Sequence, residues 1–310
     1  MLSSSFLVAL LASMFRMSTP LIFSATGEIV AERAGVINIG LEGQMLLGAF
    51  TAFCVNFATG SAALGIFCGA LAGAVSTLPL TGLGVCRRQN QSVVGIMFNI
   101  LMVGLTSYLY RAFFGVALTA PSVQPLANRA IPVLSSIPLL GETLFNQNVL
   151  VYLSIVLAGA TWFVLSKTML GLRIRSVGEN PRAAQAAGIS VISVRLWSMF
   201  FAGMMGGLGG AFLSVAYVGR FTDGITSGRG YIALAITILG RWNPLGVLGG
   251  ALLFGLVDAF QLRAQTMDVS IPYQFFVMLP YVVVLLSILL MGRNSFQPKA
   301  LGEPYEKEGR

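Results

Sequence analysis

Gly27-Glu28-Ile29-Val30-Ala31-Glu32-Arg33-Ala34-Gly35-Val36-Ile37-Asn38-Ile39-Gly40-Leu41-Glu42-Gly43-Gln44 sets three carboxylates, an arginine, an asparagine and several glycines between two apolar runs. Upstream, roughly Ser5–Ala25 is apolar apart from Arg16 and Pro20; downstream, Gly40–Ala58 is apolar again. Non-helical backbone at membrane depth survives only where protein or a water-filled cavity receives it. If the flanking runs cross a bilayer, this stretch is therefore a break built into the protein interior. Glu28 and Glu32 are spaced i,i+4 and share a helical face, with Arg33 beside them as a counter-charge. For these three an ordinary aqueous turn with solvated charges is equally open. Asn38, Glu42 and Gln44 run straight into an apolar helix, and a buried role is expected for them.

Composition decides what the flanks are. The chain has 310 residues, of which 56% are hydrophobic and only 10% charged, and its mean hydropathy is +0.83. Soluble domains carry about 25% charged residues, so a water-soluble enzyme is excluded, and so is disorder. The net charge of +8 comes from 19 Lys and Arg against 11 Asp and Glu. These bases are parcelled out between apolar stretches without interleaved aromatics, which argues against nucleic acid as a partner and for lipid as the main solvent. The chain has no histidine, which removes the commonest general base and metal ligand. Cys54, Cys68 and Cys86 lie in or at the ends of apolar segments and read as packing residues. No catalytic set and no metal site is expected.

Nine segments approach the ~20 residues a bilayer crossing needs: Ser5–Ala25, Gly40–Ala58, Ala62–Cys86, Val93–Val116, Val149–Ser166, Leu196–Val218, Tyr231–Gly240, Leu245–Leu262 and Tyr273–Met291. Tyr231–Gly240 is too short to cross without unwound flanks. The expected fold is an all-α polytopic membrane protein of about nine transmembrane helices with broken or re-entrant segments. It forms one domain over 1–292, followed by a tail over 293–310. Basic residues gather at Arg87 and Arg88, again over 167–195 (Lys167, Arg173, Arg175, Arg182, Arg195), and in the tail (Arg293, Lys299, Lys307, Arg310). Even numbers of spans separate them, so all three lie on one side. The positive-inside rule makes that side cytoplasmic and puts the N-terminus outside. The loop 117–148, with Pro121, Pro125, Pro132 and Pro138, is then extracytoplasmic. Gly65/Gly69/Gly73, Gly203/Gly207, Gly206/Gly210 and Gly246/Gly250 repeat every four residues and predict close helix seams.

A second irregular stretch, Gly219-Arg220-Phe221-Thr222-Asp223-Gly224-Ile225-Thr226-Ser227-Gly228-Arg229-Gly230, leads into the short segment. Broken helices at corresponding places in two halves are the best sequence pointer to a transport site. Thr222 and Asp223 therefore join Glu28, Asn38, Glu42 and Gln44 as candidates for the pathway, although an external turn explains that pair as well. Asn99 and Asp258 are polar groups inside spans, serving either as pathway contacts or as inter-helix bonds. A proton relay wants two acids facing each other in mid-membrane, and only Asp258 clearly qualifies, which weakens an ion-coupled carrier. A membrane-embedded enzyme is weaker still without a nucleophile and base.

A third segment lies between spans. Asn180 is a natural N-cap and Pro181 a first-turn residue. Ala183, Ala184, Ala186 and Ala187 favour a short helix, and Gly188 stops it. Its small side chains admit close approach of another protein, so a docking element is expected over a plain linker.

These stretches resemble the permease subunits of ATP-binding cassette (ABC) importers for ribose-type sugars and nucleosides, more narrowly the shorter permease of bacterial nucleoside uptake systems. The likeness is carried by Gly27–Gly43, by Val177-Gly178-Glu179-Asn180-Pro181-Arg182-Ala183-Ala184 with Ala187-Gly188-Ile189, by Phe221–Gly224 with Gly228–Ala235, by Gly240-Arg241-Trp242-Asn243-Pro244-Leu245-Gly246, and by the tail Ala300–Glu306. The resemblance implies a type II-like importer permease fold in the inner membrane and a second permease, a longer paralogue. It also implies a separate ATPase that holds ATP and magnesium, and an extracytoplasmic substrate-binding lipoprotein. It makes Gly178, Glu179, Asn180, Pro181, Arg182, Ala183, Ala184 and Gly188 the element coupled to the ATPase. The chain has no G-x-x-x-x-G-K-[ST] loop of its own, so hydrolysis is expected on the partner. A bulky acid at Ala184 is expected to abolish coupling and leave the protein folded.

Overall fold

The computed structural model describes residues 4–115, 121–130, 140–265, 273–290 and 296–306. It is a helical bundle. The helices are α1 (Ser4–Arg33), α2 (Leu41–Thr59), α3 (Ala62–Val75), α4 (Thr77–Thr81), α5 (Gln91–Phe114), α6 (Leu140–Leu144), α7 (Val149–Lys167), α8 (Met169–Glu179), α9 (Pro181–Ala186), α10 (Val191–Ala211), α11 (Arg229–Leu239), α12 (Pro244–Ala264) and α13 (Tyr273–Leu290). π-helical turns extend α4 over Gly82–Cys86 and α10 over Phe212–Val218. Among the described residues the only strands are β1 (Arg129–Ala130) and β2 (Asn146–Gln147), paired antiparallel.

Among the described residues seven helical stretches are long and apolar enough to cross a membrane, from Phe6–Arg33 to Pro244–Ala264. Helix α11 has only 11 residues, as its short apolar run implies. Three boundaries differ from the sequence expectation. Helix α1 does not stop near Ala25 but runs 30 residues to Arg33, through Pro20. The turn around the proline is supported by Ser18 Oγ and Thr19 Oγ1, which donate to the carbonyls of Met14 (2.7 Å) and Phe15 (2.8 Å). The break is consequently narrower than the polar stretch and covers residues 34–40. The segment 167–195, in which the sequence places one short helix, holds α8 as well as α9, and Arg195 sits on α10 with 1% of its surface exposed.

Helices α1, α2, α3, α10 and α12 make the most extensive packing. The predicted glycine repeats of α3 and α10 are where backbones meet, whereas Gly246 meets Gly240 at the end of α11 and Gly250 meets the side chains of Ile236 and Leu239. A Cβ placed on Gly73 would lie 2.2 Å from the Gly203 carbonyl oxygen, and one on Gly207 2.4 Å from that of Gly69. Apolar burial gives helices in lipid no drive to associate, so such contact supplies much of the cohesion. Phe23, Phe50, Phe53, Phe212 and Phe221 fill the core beside this seam, with Phe50 edge-on to Phe221 at 5.4 Å.

The three basic regions come together at one end of the bundle. Arg88 Nη1 pairs with Glu306 Oε1 at 2.7 Å. Arg195 donates through Nε to the Ala34 carbonyl (3.3 Å) and through Nη1 to that of Glu303 (3.0 Å). Arg195 is thus an internal tie and not a solvated loop charge. Arg293, Lys307 and Arg310 lie outside the described residues. At the opposite end the 121–130 segment lies along the end of α10, with Val123 N donating to the Gly219 carbonyl at 2.8 Å. Helix α6, of five residues, and the β1–β2 pair complete that end. Pro132 and Pro138 lie outside the described residues.

Candidate translocation and coupling sites

Helices α2 and α11 each start after unwound backbone, α2 after residues 34–40 and α11 after residues 219–228. A helix start leaves several N–H groups without intrahelical partners and carries partial positive charge. Here the two starts meet head to head, and one carboxylate serves α11 from the first turn of α2. Glu42 Oε1 accepts from Thr226 Oγ1 (2.5 Å) and Gly228 N (2.8 Å), and Oε2 accepts from Gly230 N (2.6 Å). A Cβ on Gly230 would fall 2.5 Å from the Glu42 nitrogen, so only glycine admits this approach.

The first break is satisfied in the same way. Asn38 and Gln44 exchange amide bonds in both directions, at 2.9 and 3.2 Å. Glu28 Oε1 accepts from Asn38 N at 3.1 Å, and Gln91 Oε1 from Ile37 N at 2.9 Å. Asn99 Oδ1 accepts from Gly43 N at 2.8 Å, while its Nδ2 donates to the Ile39 carbonyl and to Tyr231 Oη, each at 2.8 Å. Buried polar groups need such partners, and those on Asn38, Glu42, Gln44 and Asn99 are spent on protein. For Glu28 and Glu32 the two open readings resolve toward burial, with 0% and 5% exposed. Glu32 accepts from the Trp242 indole N–H, and Arg33 Nε donates to the Trp242 carbonyl at 3.0 Å. These bonds pin Arg241 and Trp242, whose φ of 55° and 53° lie in the left-handed region, a conformation that costs about 1 kcal/mol or more per residue unless its surroundings enforce it.

The remaining pathway candidates sit elsewhere. Thr222 and Asp223 are exposed; Asp223 accepts from Ser107 Oγ at 2.8 Å and pairs with Arg111 at 3.2 Å. The buried hydroxyl of that stretch belongs to Thr226, which the sequence reading passed over. Asp258 faces Arg229 at 3.7 Å, both partly buried. They border a cavity of about 130 Å³ with Ser227, Phe254 and Gln261. Glu28, Asn38 and Gln44 therefore form one cluster, Glu42 and Asn99 join it to α11, and Asp223 and Asp258 stand apart.

At the basic end, Thr168 caps α8 by accepting from Gly171 N at 3.3 Å. Asn180 Oδ1 accepts from Ala183 N at 3.0 Å, Pro181 opens α9, and Gly188 closes it at φ 81°. The eight expected residues do not share one surface. Glu179, Asn180, Arg182, Ala183 and Gly188 are exposed and Pro181 is half-buried. Ala184, 4% exposed, packs with Val177, Val191 and Tyr305. Gly178 is buried, and a Cβ there would lie 2.1 Å from the Arg33 carbonyl oxygen. A bulky acid at Ala184 would enter this apolar cluster, so the expectation that it spares the fold is corrected.

Residues 10–291 match the family described as branched-chain amino acid transport system / permease component. The chain belongs to that family. It is 38% identical over 94% of its length to the guanosine ABC transporter permease protein NupQ of Bacillus subtilis, covering 95% of that protein. It is 37% identical to the nucleoside ABC transporter permease protein NupC of Lactococcus lactis, over 96% of both chains. Identity to the putative glucose ABC transporter permease protein TsgC13 of Haloferax volcanii is 35%, over 86% of this chain and 81% of that one. The same B. subtilis and L. lactis strains each hold a second, more distant match, NupP and NupB. No solved structure matches the chain. This permease is a multi-pass protein of the inner membrane and a transport subunit without enzymatic chemistry of its own.

Proposed function

We propose that this permease carries nucleosides inward as the shorter of two paired permeases in an ABC importer, with a type II-like fold and about nine crossings. The second permease is a longer paralogue, and an extracytoplasmic lipoprotein supplies the cargo. ATP and magnesium reside on the ATPase partner. The names of NupQ and NupC support the cargo; the name of TsgC13 supports sugars as the second reading. By the positive-inside rule the end that gathers Arg88, Arg173, Arg175 and Arg182 is cytoplasmic, which offers α9 to the ATPase.

The observation that carries the mechanism is the contact of α8 with the end of α1 at Gly178 and Arg33. A push on α9 reaches the 34–40 break directly, then passes through Glu42 to the start of α11. With Asn38, Gln44 and Asn99 committed to internal bonds, the groups left to meet cargo are Thr222, Asp223 and the Arg229–Asp258 pair. The test is uptake of labelled guanosine into vesicles holding the full importer. The expected result is uptake that requires ATP and competes with other nucleosides. Uptake that persists without the ATPase and collapses with the proton gradient would make the protein an ion-coupled carrier instead.

A further inference from the structure

We infer that the surface this permease offers its ATPase is composite: α9 forms one wall and the C-terminal strap, residues 296–306, forms the other. The inference rests on the docking role proposed for α9.

The strap is tied down along its length. Ala300 N donates to the Gly178 carbonyl at 2.9 Å, and Gly302 N to that of Gly35 at 3.1 Å. Arg195 holds the Glu303 carbonyl, and Glu306 pairs with Arg88. The Tyr305 ring covers Val177, Ala184 and Val191, and its hydroxyl donates to Gln185 Oε1 on α9. An isolated helix of this length has no stability of its own in water; α9 keeps its orientation because the strap clamps its inner face. Without the strap, the apolar cluster around Ala184 would face water.

Between strap and helix runs a groove of about 410 Å³. Glu179, Asn180 and Arg182 line one side; Lys299, Glu303 and Glu306 line the other. Charges of both signs on both walls select a polar, mixed-charge segment of the ATPase, unlike the apolar faces this bundle turns to lipid. The strap also bonds to both Gly178 and Gly35, so a load in the groove is passed to the break from two sides. Tyr305 and Arg195 are positioning residues in this arrangement.

The test places a benzophenone amino acid at Ala183 or at Lys299 in the full importer, followed by irradiation and detection of ATPase adducts. Adducts from both positions are expected. Lys299→Glu is expected to lower recovered ATPase about tenfold at unchanged permease abundance, an ordinary loss for one charged contact. An adduct from 183 alone, with wild-type recovery for Lys299→Glu, overturns the composite surface. No adduct from either position, while ATPase still co-purifies, overturns the docking role of α9 itself. Tyr305→Ala should abolish the 299 adduct and weaken the 183 adduct, since both walls lose the ring that joins them; an intact 299 adduct refutes the positioning role of Tyr305. If that variant does not accumulate, Tyr305→Phe, which drops only the bond to Gln185, should weaken the 299 adduct, and an undiminished one refutes the role. None of these readouts depends on which cargo is carried.

Discussion

At the scale of single residues, the junction hangs on Glu42. Its two oxygens accept three hydrogen bonds from the stretch ahead of α11 and its first turn. Glu42→Gln keeps the shape but turns an NH2 toward backbone donors. The expected loss is about 1–3 kcal/mol of stability, read as a lower melting temperature of the purified permease in detergent. Thr226→Val removes one bond only and should cost about 1 kcal/mol on the same scale. Trp242→Phe leaves Glu32 without its indole donor at a buried site, and a loss of about 1–3 kcal/mol is expected by the same measurement. The carboxylates announce themselves in the sequence because acids beside lipid-length apolar runs need an interior use. Their partners do not. Trp242 reaches Glu32 across 210 positions, and nothing local to either residue shows the pairing. Arg195 misled for the same reason: its carbonyl partners on Ala34 and Glu303 are brought in by the fold.

At the scale of elements, hydropathy was enough to find the seven long spans, glycine spacing found the seam of α3 and α10, and capping chemistry found α9 with its boundaries. The length of α1 was not legible. Glu28, Glu32 and Arg33 look like the end of a helix until their buried partners are known, and only then does a helix to Arg33 make sense. The seams give a differential test. Gly207→Leu forces a side chain into the backbone of α3, and the expected result is loss of monodisperse protein on size exclusion. Gly104 faces open space, so Gly104→Ala should leave that profile unchanged and raise stability by up to about 1 kcal/mol through helix propensity.

For the molecule as a whole, the two ends carry different chemistry, and sidedness is the property to measure. In a cysteine-free background, Ala187→Cys at the basic end should react with an impermeant maleimide only in inside-out vesicles. Thr222→Cys, beside the Arg111–Asp223 pair, should react only in right-side-out ones. Exchange of those two patterns would invert the whole orientation. The tail was visible in the sequence as a charged appendage; its seat was not, since a strap of eleven residues has no periodicity to read. That seat bears on how the protein is handled at the bench. Glu306 is already engaged with Arg88, so a purification handle placed directly after it would crowd the cleft between Glu179 and Lys299, whereas one placed ahead of α1 starts from the far side of the bundle.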